Sequence, residues 1–252
     1  MRFSPQMRDL AWLVARPITH RGLHGPARAI MENTQSAFAA AIAHNYAIEC
    51  DLQLTADGEA IVTHDNTLDR VTEHSGRVKD FTTRELKRMA FKVGTDRMQT
   101  LAELLEQVDS RVTLVIELKS HFDGNTRLAT RALEVLASYD GPSCLMSFDP
   151  DLIATVADQS PGTVRGMVAD RTVGRYYATM PVARRLALRQ FSHLEKTRPH
   201  FVSFDCRDLP FAPVQCIRAA GHPVITWTIR SPEAAARARR YCDQITFEGY
   251  EA

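Results

Sequence analysis

Several things are missing from this 252-residue sequence, and each absence closes off a class of function. The apolar stretch near its start, Leu10 to Ala15, is too short for a signal-peptide core or a membrane span, which takes about 20 residues. Met1 to Asp9, ahead of it, is interrupted by charge and by Pro5. Stable membrane insertion is therefore not expected. Net charge is nearly absent at +1, which argues against a nucleic-acid binder that relies on a basic field. The five cysteines, at 50, 144, 206, 216 and 242, form no C-x-x-C and no pairing rhythm, so a disulfide framework is not expected. They read as reduced thiols in a cytoplasmic protein. No short repeat, low-complexity tract or linker divides the chain, and one domain over residues 1–252 is expected. What is present suffices for a large core: hydrophobic residues make up 44% and charged residues 24%. The length is close to the roughly 250 residues of one (β/α)8 barrel.

Along the chain, β-type and α-type segments alternate. Val14 to His20 reads as a first strand, followed by a loop with Gly22, Gly25 and Pro26. Glu32-Asn33-Thr34 opens a helix with Asn33 as its expected N-cap and Ala37, Phe38, Ala41 and Ile42 as its apolar face. Thr82-x-x-Glu85 and Thr100-x-x-Glu103 are capping boxes. Strands are expected at Val112–Lys119, Cys144–Phe148, Val164–Val168, Phe201–Phe204, Val224–Thr228 and Gln244–Phe247. Helices are expected at Asn125–Tyr139, Pro150–Asp158, Pro213–Ala220 and Pro232–Cys242. This order predicts a parallel (β/α)8 barrel with its site at the C-terminal strand ends. A doubly wound open sheet is the alternative, but no G-x-G-x-x-G loop supports it.

Polar residues gather where the strands end. In Ile48 to Leu54 the apolar residues alternate with Glu49, Asp51 and Gln53, which puts two carboxylates one pleat apart. Asp57-Gly58 supplies a turn, and Ala60 to Val62 leads back to His64-Asp65. The alternation also fits a half-exposed hairpin with its acids in water. Further on, Glu117 and Lys119 share one face of their strand, opposite Leu114, Ile116 and Leu118. Three carboxylates offer hard oxygen ligands for one divalent cation, Mg²⁺ or Ca²⁺. Arg21 and Lys119 offer fixed positive charge to an anion, and His20 and His64 can divide acid and base duties near neutral pH. Together these residues describe a metal-assisted hydrolase of a phosphodiester.

The ordered set His20-Arg21-Gly22, Glu32-Asn33-Thr34, Glu49-x-Asp51, Thr55-x-Asp57-Gly58, His64-Asp65, Leu68-x-Arg70-x-Thr72 and Glu117-x-Lys119 resembles the glycerophosphodiester phosphodiesterases. The resemblance runs from about Pro17 to the C-terminus and is strongest up to Lys119. It implies His20 and His64 as the catalytic pair and Glu49, Asp51 and Glu117 as metal ligands. Arg21 and Lys119 would be phosphate contacts, Glu32 a site-lining acid near the glycerol end, and Trp227 a wall of the substrate pocket. The implied substrate is a small phosphodiester, with choline or ethanolamine among the departing alcohols. A lysophospholipase D on the same scaffold is the alternative, with an apolar channel beside Trp227, and a silent binding barrel is a third reading. Neither the acid/base order of the histidines nor the choice of Mg²⁺ or Ca²⁺ follows from these motifs, and a homo-oligomer stays open.

The chain departs from the family pattern at Met31, where proline is usual, and has a somewhat longer loop after Gly22. Arg230 stands where Asn is common, and Thr246-Phe247-Glu248 replaces a frequent Thr-Asp-x-Pro. Among the remaining histidines, at 24, 44, 74, 121, 193, 200 and 222, surface or capping positions are expected, with His24 the one near the site. Val182 to His193 is basic and amphipathic; an outer helix with a solvated basic face is the expectation, a membrane-surface helix the alternative.

Overall fold

The computed structural model describes residues 9–174 and 177–252; of the N-terminal stretch, Met1 to Arg8 lies outside them. Its strands are β1 (Ile18–Thr19), β2 (Ala47–Leu54), β3 (Ala60–Val62), β4 (Leu114–Leu118), β5 (Ser143–Ser147), β6 (Arg165–Ala169), β7 (Phe201–Asp205), β8 (Val224–Ile229) and β9 (Gln244–Phe247). All but β3 run parallel, and β1 pairs with both β2 and β9, which closes an eight-stranded ring. The fold is a TIM (β/α)8 barrel. β3 lies outside the ring, antiparallel to the end of β2, with Leu52 opposite Val62. Gly58 takes the turn between them at φ 83°, where a side chain would be strained.

Alternation along the strands separates two apolar layers. Inward residues Ile18, Ala47, Val115, Cys144, Met146, Val168, Phe201 and Ile225 fill the barrel interior. Outward residues such as Ile48, Cys50, Leu52, Leu114, Ile116 and Leu118 pack under the helices. Gly166 on β6 makes room for the Phe201 ring, which a Cβ there would meet at 2.4 Å. The surrounding helices include α2 (Gln35–Ala43), α4 (Leu101–Val108), α5 (Arg127–Leu136), α6 (Pro150–Gln159), α9 (Ala212–Ala219) and α10 (Pro232–Ala238). On α4, Leu101, Leu104, Leu105 and Val108 form one buried stripe, each contributing roughly 1.5–3 kcal/mol. Both expected capping boxes form, at Thr82–Glu85 ahead of α3 (Thr83–Leu86) and at Thr100–Glu103 ahead of α4.

Three expectations are corrected. Val14 ends a short helix, α1 (Ala11–Val14), and the first strand is only Ile18–Thr19. The apolar run Leu10 to Val14 is used to close the barrel floor, with Leu10 and Leu13 packed on Ile18, Val115 and Phe201. Thr34, not Asn33, caps α2 by accepting from the Ala37 N–H, while Asn33 sits at φ 56° and points its amide at Asp51. His200 is buried, and its Nδ1 accepts from the Arg165 N–H at 3.2 Å.

The basic stretch forms α7 (Val182–Arg189) and α8 (Leu194–Thr197) in the β6–β7 connection. Leu188 packs inward, while Val182 and Leu186 are exposed. Among the described residues, no helix is long and apolar enough to cross a membrane.

Candidate active site

The C-terminal strand ends converge on a cavity of about 330 Å³ lined by His20, Arg21, Glu49, His64, Glu117, Lys119 and Trp227, among others. Parallel register explains the convergence: Asp51 on β2 lies level with Glu117 on β4, and Glu49 sits one pleat below Asp51 on the same inward face. Glu49, Asp51 and Glu117 are 2%, 1% and 7% exposed, so the half-exposed hairpin is excluded. One oxygen from each lies within 4.8 Å of the others.

Three residues, Arg21, Asn33 and Lys119, hold these carboxylates. Arg21 adopts φ 59°, a left-handed conformation that turns its backbone N–H onto Glu49 Oε2 at 2.9 Å. Asn33 donates from Nδ2 to Asp51 Oδ2 at 2.9 Å. Lys119 Nζ stands 2.7 Å from both Asp51 Oδ1 and Glu117 Oε1. Burial pulls the Asp51 carboxyl up, but Lys119, His64, Arg21 and His20 overcome it and hold the group well below its usual range. Glu49 goes the other way: burial, then Asp51 and Glu117, push its carboxyl up. The cluster carries more negative charge than Lys119 offsets, and its donors are all oxygen. That fits a hard divalent cation.

The histidines are built alike. His20 follows β1, and its Nδ1 pairs with Glu248 Oε2 at 2.7 Å. His64 follows β3, and its Nδ1 pairs with Asp65 Oδ1 at 2.6 Å. In both, the carboxylate occupies Nδ1 and leaves Nε2 for the cavity. Burial lowers the His20 pKa, with the Glu248 contact opposing it. That contact, with Arg230 adding to it against burial, holds the Glu248 carboxyl at about 2.

Glu32 lines neither this cavity nor the one described next. It accepts from Arg21 Nη1 at 2.8 Å and from Arg70 at 2.6 and 2.9 Å, and Arg70 Nε also donates to Asp65. Burial raises Glu32, yet Arg70 and Arg21 hold it at about 2. His24 lines neither cavity.

A second cavity, about 530 Å³, shares His64, Glu117, Lys119, Phe148 and Trp227 with the first and adds Asp170 and Tyr177. Trp227 meets Phe148 edge to face at 5.6 Å, and its Nε1 is buried with no hydrogen-bond partner among the described residues. Ser203, which lines the first cavity, Asp170, which lines the second, and the partnership of Glu248 with His20 are not marked in the sequence. Their one available signal is position, since each lies on a strand that ends at the site or just beyond it.

A model of the "Glycerophosphoryl diester phosphodiesterase family" matches residues 20–244. The chain is 40% identical over 111 residues to a glycerophosphodiester phosphodiesterase of Caldanaerobacter subterraneus, covering 41% of this chain and 44% of that protein. With a glycerophosphodiester phosphodiesterase of Bacillus altitudinis it shares 40% identity over 108 residues, covering 40% of this chain and 42% of that protein. These matches span less than half the length of the curated relatives. An Oleispira antarctica phosphodiesterase, solved in complex with the product sn-glycerol-3-phosphate, shares the fold with a TM-score of 0.76 at 22% identity, covering 94% of each chain. A glycerophosphodiester phosphodiesterase from Thermotoga maritima gives a TM-score of 0.71 at 25% identity, covering 91% of this chain and 92% of that one. By its family match and by the ordered motifs that meet at its strand ends, the chain belongs to the glycerophosphoryl diester phosphodiesterase family.

Proposed function

We propose that this chain hydrolyses glycerophosphodiesters to glycerol 3-phosphate and an alcohol, using one divalent cation, Mg²⁺ or Ca²⁺. The observation that carries this reading is the pairing of His20 and His64, each backed by a carboxylate on Nδ1, around three acids and two fixed cations. Glu49, Asp51 and Glu117 would hold the cation. Once bound, it supplies positive charge to the phosphoryl oxygens and acidifies a nearby hydroxyl.

The remaining work falls to side chains. Arg21 and Lys119 hold the phosphoryl oxygens, and Glu32 keeps the Arg21 guanidinium in place. His20 takes the attacking hydroxyl's proton on Nε2, either water's, which gives glycerol 3-phosphate directly, or the glycerol's own, which closes a cyclic phosphate that water then opens. Glu248 fixes the Nδ1–H tautomer and stabilises the imidazolium. His64 delivers a proton from Nε2 to the departing alcohol. That division is supported by the cavities, because His64 borders both and His20 only the first. A complete acid/base set argues against a silent binding protein. We place the enzyme in the cytoplasm, a reading supported by its scattered unbridged thiols.

The walls of Phe148, Tyr177 and Trp227 favour a second reading, lysophospholipase D, in which the cavity takes an acyl chain. One assay addresses both. Glycerol 3-phosphate release is measured from glycerophosphocholine and glycerophosphoethanolamine, and choline release from lysophosphatidylcholine. Reactions contain Mg²⁺, Ca²⁺ or excess chelator, beside His20→Ala and Glu49→Ala. Metal-dependent release that both substitutions abolish is expected. Release that survives chelator and substitutions would refute the site.

A further inference from the structure

The two cavities differ in chemistry on either side of the groups they share. In the first, Ser203 is 1% exposed, and its Oγ has no hydrogen-bond partner among the described residues. It stands with Asp205 and Thr228, a wall suited to the hydroxyls of a glycerol end. In the second, Phe148, Tyr177 and Trp227 supply ring surface beside the Asp170 carboxylate. Asp170 directly follows β6 and is half-buried. Its Oδ1 accepts from the Thr172 N–H at 2.6 Å, and Tyr177 also hydrogen-bonds to it. The adjacent cation, Arg171, turns instead to Asp208. Among the described residues no salt bridge reaches Asp170. Burial pushes its carboxyl up against the Thr172 and Tyr177 hydrogen bonds, and the nearby Asp208 and Asp205 add to the rise; a positive charge placed beside it would favour its ionised form.

We propose that the second cavity holds the leaving alcohol and selects a positively charged one, a substituted ammonium alcohol, with Asp170 as counter-charge and Phe148, Tyr177 and Trp227 as walls. Ring faces attract such cations, and an alkylated ammonium loses little hydration on entering. Asp170 is then a specificity-determining residue, reading the end of the diester that departs through His64. This inference rests on the hydrolase reading above.

The test compares kcat/KM for glycerophosphocholine, whose alcohol is cationic, with that for glycerophosphoglycerol, whose alcohol is neutral. Asp170→Asn keeps the oxygen that Thr172 bonds and removes the charge. The preference for the choline diester over the glycerol diester is expected to fall about tenfold in this variant. An unchanged preference, in an enzyme that turns over both diesters, would overturn the inference and leave the hydrolase reading standing. A wild-type protein that hydrolyses neither diester would overturn both. A second measurement on the wild type guards against a variant that fails to fold. Choline and its neutral isostere 3,3-dimethylbutan-1-ol are compared as inhibitors of glycerophosphoglycerol hydrolysis. Choline is expected to inhibit at concentrations about tenfold lower. Equal potency would overturn the inference.

Discussion

Replacing Glu248 with Gln removes one negative charge but keeps an oxygen beside His20 Nδ1. The two groups are 2.7 Å apart, with the side chains 13% and 26% exposed, so water screens the pair little. Hydrogen bonds to charged groups contribute roughly 1.5–3 kcal/mol. In the proposed mechanism this contribution grows as His20 becomes an imidazolium, so its loss falls on the transition state. A fall in kcat of about 10- to 100-fold is expected. KM for the diester should change little, because in that mechanism the phosphate is held by Arg21 and Lys119 instead. The pH profile gives an independent sign. Burial lowers the His20 pKa, and Glu248 is the largest influence opposing that shift. Without the carboxylate the pKa drops further, so the acidic limb of kcat/KM moves to lower pH while the plateau falls. The assay is a pH series of kcat and kcat/KM for wild type, Glu248→Gln and Glu248→Asp. Arg230→Ala separates the cation's share: Arg230 is 63% exposed and meets, at 3.2 Å, the same Glu248 Oε2 that His20 contacts, so its kcat should fall less than that of Glu248→Gln. An unmoved acidic limb together with intact kcat in Glu248→Gln would refute the reasoning.

Three further outcomes are expected. A divalent cation at about 100 times its dissociation constant adds about 2.7 kcal/mol of stability, which raises Tm by about 5–10 °C for a chain of this size. Thermal melts of wild type and Glu117→Gln check this, and a full shift in the variant would remove Glu117 from the ligand set. In chelator, Glu49 has a folded-state pKa above its unfolded value. Its contribution to stability is therefore fully present below about pH 4.3 and lost as pH rises through the folded value. Urea melts across pH should show a shallower decline in Glu49→Gln, and identical slopes would contradict the assignment. Arg70→Ala leaves Glu32 to Arg21 alone and Asp65 to His64 alone, so kcat/KM should fall about tenfold. Because Arg70 is 47% exposed, the stability lost should stay within about 1 kcal/mol, checked by the same melts.

The parts of this molecule that were legible in its sequence are those specified locally. Alternation in Ile48–Leu54 and Leu114–Leu118 marked strands with acids on one face, and the barrel closes with those faces inward. The capping boxes were visible because their bonds span three residues. Leu10 to Ile18 was misread at its centre because an apolar run with Pro17 has the same appearance as a strand or as a plug. Packing against Val115 and Phe201 decides between them, and those residues are distant in sequence. Asn33 has the composition of an N-cap, but Asp51 competes for its amide and Thr34 takes the capping role.

The two histidines show the same division within one site. His64 takes its carboxylate from the next residue, so the motif His64-Asp65 carries its own orientation. His20 takes its carboxylate from Glu248, 228 residues away, and no local pattern could announce that partner. The link exists because β9 pairs with β1, placing Thr19 opposite Phe247 and giving the His20 N–H the Phe247 carbonyl at 2.9 Å. Ring closure is therefore a condition for orienting His20 but not His64. Arg230 and Glu248, two separate departures from the family pattern, meet at 3.2 Å beside this histidine. Neither substitution is interpretable alone. Together they put a carboxylate just beyond β9 on His20 Nδ1, with a cation 3.2 Å from the same carboxylate oxygen.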